Sequence, residues 1–174
     1  MTLNREKLAQ PPGTGLKEED IERQKVLTVA YQPKAKYSWA TGIGIGRFLT
    51  GLKAGEIVGS ECDTCDRVVV PPRIFCEWCF KRSESWVKLP DTGIVNTFSI
   101  SYITTDTTRI KEPVIPAVIE IDSTTGAGFL HMIGEVKPDA VRIGMRVKAV
   151  WLGPSQRKGS ITDIKYFAPV KEPI

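Results

Sequence analysis

The four cysteines of this chain fall in a single arrangement: Cys62-x2-Cys65, a gap of ten residues, then Cys76-x2-Cys79. A Cys-x2-Cys turn aims two thiolates at one point. Two such turns supply the four soft sulfur ligands of a closed tetrahedral zinc site. The gap is shorter than the commonest four-cysteine spacing and suits a compact ribbon of two knuckles. A closed site has no open coordination position, so its metal builds structure and does no chemistry. Three other readings use the same residues: iron in the sulfur cage, a pair of disulfides, or a redox-active Cys-x2-Cys. Iron fits the ligands, and metal analysis separates it from zinc. The redox reading fits least, because neither pair opens a helix after a strand.

The rest of the chain is compatible with an ordinary globular protein. At 174 residues it makes one domain or two small ones, and a chain of this length buries roughly two-thirds of its unfolded surface without needing disulfides. The net charge of +4 permits an anionic partner but does not demand nucleic acid. No apolar run approaches membrane-spanning length. The opening residues, MTLNREKLAQPPGTG, hold no apolar signal core. With paired thiolate motifs and no spare cysteine, the expectation is a reducing cytoplasm.

Three blocks follow one another. Residues 1–60 read as an N-terminal helical arm, 61–90 as the four-cysteine zinc ribbon and 91–174 as a five-stranded OB-fold barrel, so the fold class is mainly β. In the first block, Pro11-Pro12-Gly13-Thr14-Gly15 is loop. Lys17–Val29 has helical composition with weak periodicity. Thr41–Lys53 is a better helix, because Ile45, Phe48, Leu49 and Leu52 make one apolar stripe. Thr41 is its expected N-cap and Gly55 its stop. In the ribbon, Val68-Val69-Val70 reads as a short strand and Pro71-Pro72 as an extended turn. In the third block five strands are expected at Ile94–Ile103, Val114–Ile121, Ala127–Val136, Met145–Leu152 and Ser160–Ala168. Pro116 interrupts the second, which suggests an edge or a bulge. A short helical link, Lys137–Gly144, follows the third strand. That is the pattern of a small Greek-key barrel of the oligonucleotide/oligosaccharide-binding type.

Together these pieces resemble a known family, the zinc-ribbon/OB-fold proteins associated with acyl-CoA enzymes, first catalogued as a domain of unknown function. The resemblance covers about residues 37–167. Its most specific parts are Gly51-Leu52-Lys53-Ala54-Gly55-Glu56-Ile57 ahead of Cys62 and Cys65, Val70-Pro71-Pro72-Arg73-Ile74-Phe75-Cys76, and Ile143-Gly144-Met145-Arg146-Val147 before the fourth barrel strand. It implies a non-catalytic accessory subunit that forms a hetero-oligomer with a thiolase-like enzyme, either holding that enzyme's active site in shape or passing acyl-CoA between enzymes. The extended N-terminus looks similar to members that serve thiolases of anaerobic aromatic degradation. One departure stands out: Asp66 occupies a position where the family often has glycine.

No catalytic constellation emerges from the remaining residues. His131, the only histidine, lies mid-strand and reads as a structural residue on a barrel face. Gly42-x-Gly44-x-Gly46 resembles a phosphate-binding turn but brings its third glycine one residue early, so close backbone packing is the better reading. Between Gln24 and Gly55 the chain is basic without an acidic residue. If CoA is the ligand, Arg47, Lys53 and Arg73 are the candidate contacts to its phosphates, with the acyl-CoA held mainly by the partner. Tyr37, Trp39 or Trp78 could stack on adenine, or anchor the arm or a partner. A single-stranded nucleic-acid module is the alternative function. It wants a basic groove with exposed aromatics, and the third block has few of either.

Overall fold

A computed structural model describes residues 15, 17–27, 29, 38, 40–104 and 106–170 of the chain. These belong to two compact units that divide between residues 39 and 40. Of the aromatic residues singled out above, Tyr37 and Trp39 lie outside the described residues.

The described part of the first unit is one short helix, α1 (Glu18–Glu22). It is much shorter than the segment Lys17–Val29 suggested. The cause is the missing periodicity: no residue of α1 is buried, so nothing extends it beyond its ion pairs, Arg23 to Glu19 at 3.9 Å and Lys25 to Asp20 at 3.0 Å.

The second unit opens with α2 (Gly42–Ala54). The apolar stripe is covered largely within the unit itself. Phe48 is 3% exposed and Leu52 0%, Leu49 packs on the same core, and only Ile45 stays 39% exposed. Phe48 meets Phe129 of the barrel edge-on, with ring centres 5.7 Å apart. The helix is therefore part of the core, with Ile45 alone of the stripe left at the surface. Gly55 ends it in the left-handed region (φ 83°), with its N–H and that of Glu56 donating to the carbonyls of Leu52 and Gly51. Thr41 does not cap it: its backbone is already helical and its side chain makes no capping bond. A capping side chain requires an extended N-cap backbone.

The ribbon sheet places β1 (Ile57–Cys62) between β2 (Arg67–Val69) and β3 (Ser85–Leu89), all antiparallel. Only β2 is visible as a valine run. β1 starts inside the segment read as helical arm and crosses the expected boundary at 60/61. Gly59 and Ser60 disguise it, yet both are buried. A Cβ at Gly59 would come 2.8 Å from the Val69 carbonyl, so this tight sheet accepts no side chain there.

The barrel follows. β4 (Thr92–Phe98) leads into a separate hairpin, β5 (Ser101–Ile103) and β6 (Arg109–Val114), and the chain returns through β7 (Pro116–Ile121), β8 (Gly128–Met132), β9 (Arg146–Trp151) and β10 (Ile164–Pro169). The sheet order is β10-β9-β4-β7-β8, and a parallel bridge between Ile133 and Phe167 brings its two ends together. A 3-10 turn, Pro138–Ala140, links the third and fourth barrel strands. This is the expected Greek-key barrel, with its first two strands each broken in two. Pro116 is where the second break falls: it has no N–H for the ladder, and its carbonyl takes the Ser99 N–H at 2.9 Å. Inward residues alternate along β7 (Ala117, Ile119, Ile121) and β9 (Val147, Ala149) and pack on Val95, Phe129, Ile164 and Phe167.

Two loops tie barrel, ribbon and helix together. Thr125, in the turn after β7, accepts the Val68 N–H on its hydroxyl (2.8 Å) and donates its own N–H to the Val68 carbonyl (2.9 Å), which closes the outer edge of β2. The loop before β10 is built around Asp163, 1% exposed, whose carboxylate accepts the N–H groups of Lys158 (2.9 Å), Gly159 (2.7 Å) and Ser160 (3.1 Å). Among the described residues no helix is long and apolar enough to cross a membrane.

Candidate metal centre

The two knuckles are built alike. In the first, the Cys62 carbonyl accepts the N–H groups of Cys65 (3.2 Å) and Asp66 (2.8 Å). In the second, the Cys76 carbonyl accepts the Phe80 N–H at 2.9 Å, and the Trp78 N–H points at the Cys76 sulfur at 3.4 Å. The residue after the second cysteine is left-handed in both, Asp66 at φ 52° and Phe80 at φ 58°. Glycine suits that position best, which explains why Asp66 is tolerated: aspartate visits the left-handed region more readily than most residues. Phe80 has no such excuse and is 79% exposed.

The four ligand sulfurs all lie within 4.8 Å of one another, and those of Cys62 and Cys79 are 3.6 Å apart. A tetrahedron with metal–sulfur bonds of about 2.3 Å has edges of about 3.8 Å, so the donor set fits a closed divalent site. Cys62 and Cys76 are buried, while Cys65 and Cys79 are half-buried. Two of the thiols are shifted by their surroundings. Cys65 is pushed up to about 12, first by its hydrogen bond with Cys79 and then by burial. Cys76 is drawn down to about 7 by the backbone N–H groups of Cys79 and Trp78. Cys62, Cys65, Cys76 and Cys79 would hold a divalent cation as thiolates, each giving up its proton on binding. The sequence-read ligands Cys62, Cys65, Cys76 and Cys79 are thus all brought together.

Beside the knuckles lies a polar cleft of about 370 Å³ between the ribbon and the barrel, lined by Arg67, Arg73, Glu77, Asn96 and Glu120 among others. Arg67 pairs with Glu77 at 3.0 Å, and its guanidinium lies 4.1 Å from the centre of the Trp78 ring. Arg73 reaches the same carboxylate at 3.7 Å. One face of Trp78 is therefore already covered. The pairing of Arg67 with Glu77 depends on the knuckle's fold and leaves no local signal in the sequence.

The candidate phosphate contacts do not converge. Arg73 lines the cleft, Arg47 lies over the Trp86 ring at 4.8 Å, and Lys53 is exposed in the last turn of α2. Arg47 and Lys53 are six residues apart, about 9 Å along the helix axis and on different faces. Gly44 behaves as close packing predicts: a Cβ there would lie 2.8 Å from the Pro72 carbonyl. His131 is 9% exposed, its ring edge-on to Phe129 and Phe167. The Met132 N–H donates to its Nδ1 (2.8 Å), which places the ring proton on Nε2, facing the Ile161 carbonyl at 3.1 Å. Both ring nitrogens are engaged structurally.

Comparison with known proteins agrees with this architecture. Residues 49–84 match the family described as ChsH2, rubredoxin-like zinc ribbon domain, and residues 86–152 match ChsH2, C-terminal OB-fold domain. A DUF35 domain-containing scaffold protein of Methanocaldococcus jannaschii is 32% identical over 96 residues, which cover 55% of this chain and 67% of the relative. A solved DUF35-family protein of unknown function from Sulfolobus solfataricus is 30% identical with a TM-score of 0.55, over 63% of this chain and 79% of that one. A solved Ltp2-ChsH2(DUF35) aldolase shares the fold at 22% identity and a TM-score of 0.54, over 76% of this chain and 98% of that one.

Proposed function

Because this chain belongs to the ChsH2-type zinc-ribbon and OB-fold (DUF35) family, we propose that it is a non-catalytic, zinc-stabilised accessory subunit of a thiolase-type acyl-CoA acyltransferase. The observation that carries the reading is the engagement of the chemistry-bearing side chains in structure: four cysteines in one closed sulfur site and one histidine with both nitrogens bonded. The M. jannaschii relative is named a scaffold, and the aldolase of shared fold pairs a ChsH2 DUF35 chain with Ltp2, which supports work in a hetero-oligomer. The finer reading is the accessory subunit of a benzoylsuccinyl-CoA thiolase in aromatic degradation, motivated by the extended N-terminus. Acyl-CoA is bound mainly by the partner, with Arg47, Lys53 and Arg73 of this chain meeting the nucleotide phosphates at different points. The cytoplasm is the expected compartment.

A single-stranded nucleic-acid module is disfavoured by charge. The barrel face beside the ribbon carries Glu120, and Arg146 there is neutralised by a bidentate pair with Asp122 at 2.6 Å. The test is reconstitution with the thiolase-type subunit from the same host. The complex is expected to turn over CoA thioesters where either chain alone does not. Arg73→Ala is expected to raise KM for CoA by about ten- to a hundredfold, the worth of one charge-assisted phosphate contact. Equal activity of the partner with and without this chain overturns the proposal.

A further inference from the structure

The first turn of α2 and the loop entering the second knuckle form one apolar wall that the described residues leave uncovered. Ile43 is 58% exposed, Ile45 39%, Ile74 45% and Phe75 50%, whereas Phe48 and Leu52 further along the same helix are buried. The four line a groove of about 440 Å³ together with Gly44, Pro72 and Arg73. The wall is rigid. Pro71 and Pro72 stiffen the loop, and Gly44 lets the helix backbone approach the Pro72 carbonyl so closely that a methyl group would collide with it. Single exposed apolar residues are ordinary; four on one preformed groove mark a contact surface.

The groove's charge says what fits it. None of its lining residues is acidic, and Arg73 stands on its edge with 58% of its side chain exposed, sharing the single carboxylate of Glu77 with Arg67 so that one positive charge of the three groups stays unbalanced. A smaller cavity of about 140 Å³ continues past Ile43 and Ile74 to Arg82 and Trp86. Arg47 lies over that Trp86 ring and makes no ion pair among the described residues. The one carboxylate lining the smaller cavity, Glu84, is already held by Arg82 at 2.8 Å. An apolar floor with a cationic rim suits a protein surface whose large apolar side chains are flanked by carboxylates. A second copy of this face would bring cations against cations.

We infer that the groove formed by Ile43, Ile45, Ile74 and Phe75 is the docking surface for the thiolase-type partner, which inserts apolar side chains there and is steered by an acidic rim of its own toward the positive field of Arg73 and Arg47. The inference rests on the partner reading above and adds the place of contact. The probe is the thiolase-type subunit from the same host, titrated against wild type, Ile43→Asp, Phe75→Asp and, outside the groove, Leu130→Asp, whose parent side chain is 65% exposed. Placing a carboxylate on the apolar floor is expected to weaken binding at least about a hundredfold, while Leu130→Asp stays within about threefold of wild type. Metal content and melting temperature of both groove variants should match wild type, because the residues are exposed. If wild type binds and the groove variants bind equally well, the surface is misassigned while the accessory role stands. If wild type does not bind the subunit, both readings fail. Two results reassign the groove to another occupant and overturn the inference: Ile43→Asp lowering the melting temperature of the isolated chain, which makes the occupant its own N-terminal segment, or Ile43→Asp splitting a wild-type dimer, which makes it a second copy.

Discussion

Replacing Asp163 should unfasten the loop that leads into β10 and packs on α2. Its carboxylate accepts three backbone N–H groups, from Lys158, Gly159 and Ser160, at 2.7–3.1 Å. Its own carbonyl takes the Leu152 N–H at 2.9 Å. Ser160 completes a reciprocal capping box with it. Asp163→Ala leaves three donors without their acceptor. An orphaned buried donor costs about 1–3 kcal/mol, and water reaches part of this loop, so about 1 kcal/mol each and about 3 kcal/mol in total is the working figure. For a protein of this size that is roughly 6–12 °C in Tm. Asp163→Asn keeps one acceptor but turns an NH2 group toward donors, and should recover less than half of the loss. The pH dependence has a definite sign. Burial pushes the Asp163 carboxyl up, but the N–H groups of Lys158, Ser160 and Gly159, with Arg157 nearby, outweigh it and hold the carboxyl below its ordinary value. With the folded value below the unfolded one, the stabilisation is full above about pH 4 and is lost as the pH falls through the folded value. Thermal unfolding followed by circular dichroism at pH 7 and at pH 3 measures both effects. A shift of Asp163→Ala below about 3 °C at pH 7, or a wild-type advantage that does not shrink at pH 3, refutes the reasoning.

Cys65→Ser should abolish stoichiometric metal by elemental analysis and loosen the ribbon, and protein purified without chelator should hold one zinc per chain. Phe48→Ala removes a 3%-exposed ring from the helix–barrel contact and should cost about 3–5 kcal/mol in urea unfolding. Gly44→Val should destabilise by about 1–3 kcal/mol through collision with the Pro72 carbonyl, whereas Gly15→Ala, with nothing within 4 Å of the added carbon, should be near neutral. Phe80→Gly relieves a left-handed phenylalanine at an exposed site and should leave stability unchanged or raise it by up to about 1 kcal/mol, read as Tm.

The parts legible in the sequence were those with local signals. Cysteine spacing specified the sulfur cluster outright, because the turn geometry of each knuckle is contained in four residues. The barrel was readable from strand spacing and the single helical link, and Pro116 announced its own break. β1 was not, since Gly59 and Ser60 lack the side chains that betray a strand, and the reasons for them, the close approach of Val69 and Leu89 to Gly59 and the Arg73 N–H donated to the Ser60 hydroxyl, are visible only once the sheet is assembled. The same holds for Asp163, an ordinary loop aspartate in sequence that becomes the hub of three backbone bonds in space. Charge alone grouped Arg47, Lys53 and Arg73, but helix geometry separates the first two, and Trp86 and Glu77 hold two of the three. The stripe on α2 is mostly buried in the core, and the uncovered surface gathers at the N-terminal end of the helix, on Ile43 and Ile45.

The most direct test of the accessory-subunit account is a pull-down of the chain, tagged at its chromosomal locus, from the native host, with mass spectrometry of what elutes. The account predicts a thiolase-type subunit in stoichiometric amount and retained in 0.5 M salt, a concentration at which exposed ion pairs alone are screened within about 4–5 Å. Recovery of the chain by itself, or with nucleic acid that leaves on nuclease treatment, contradicts it.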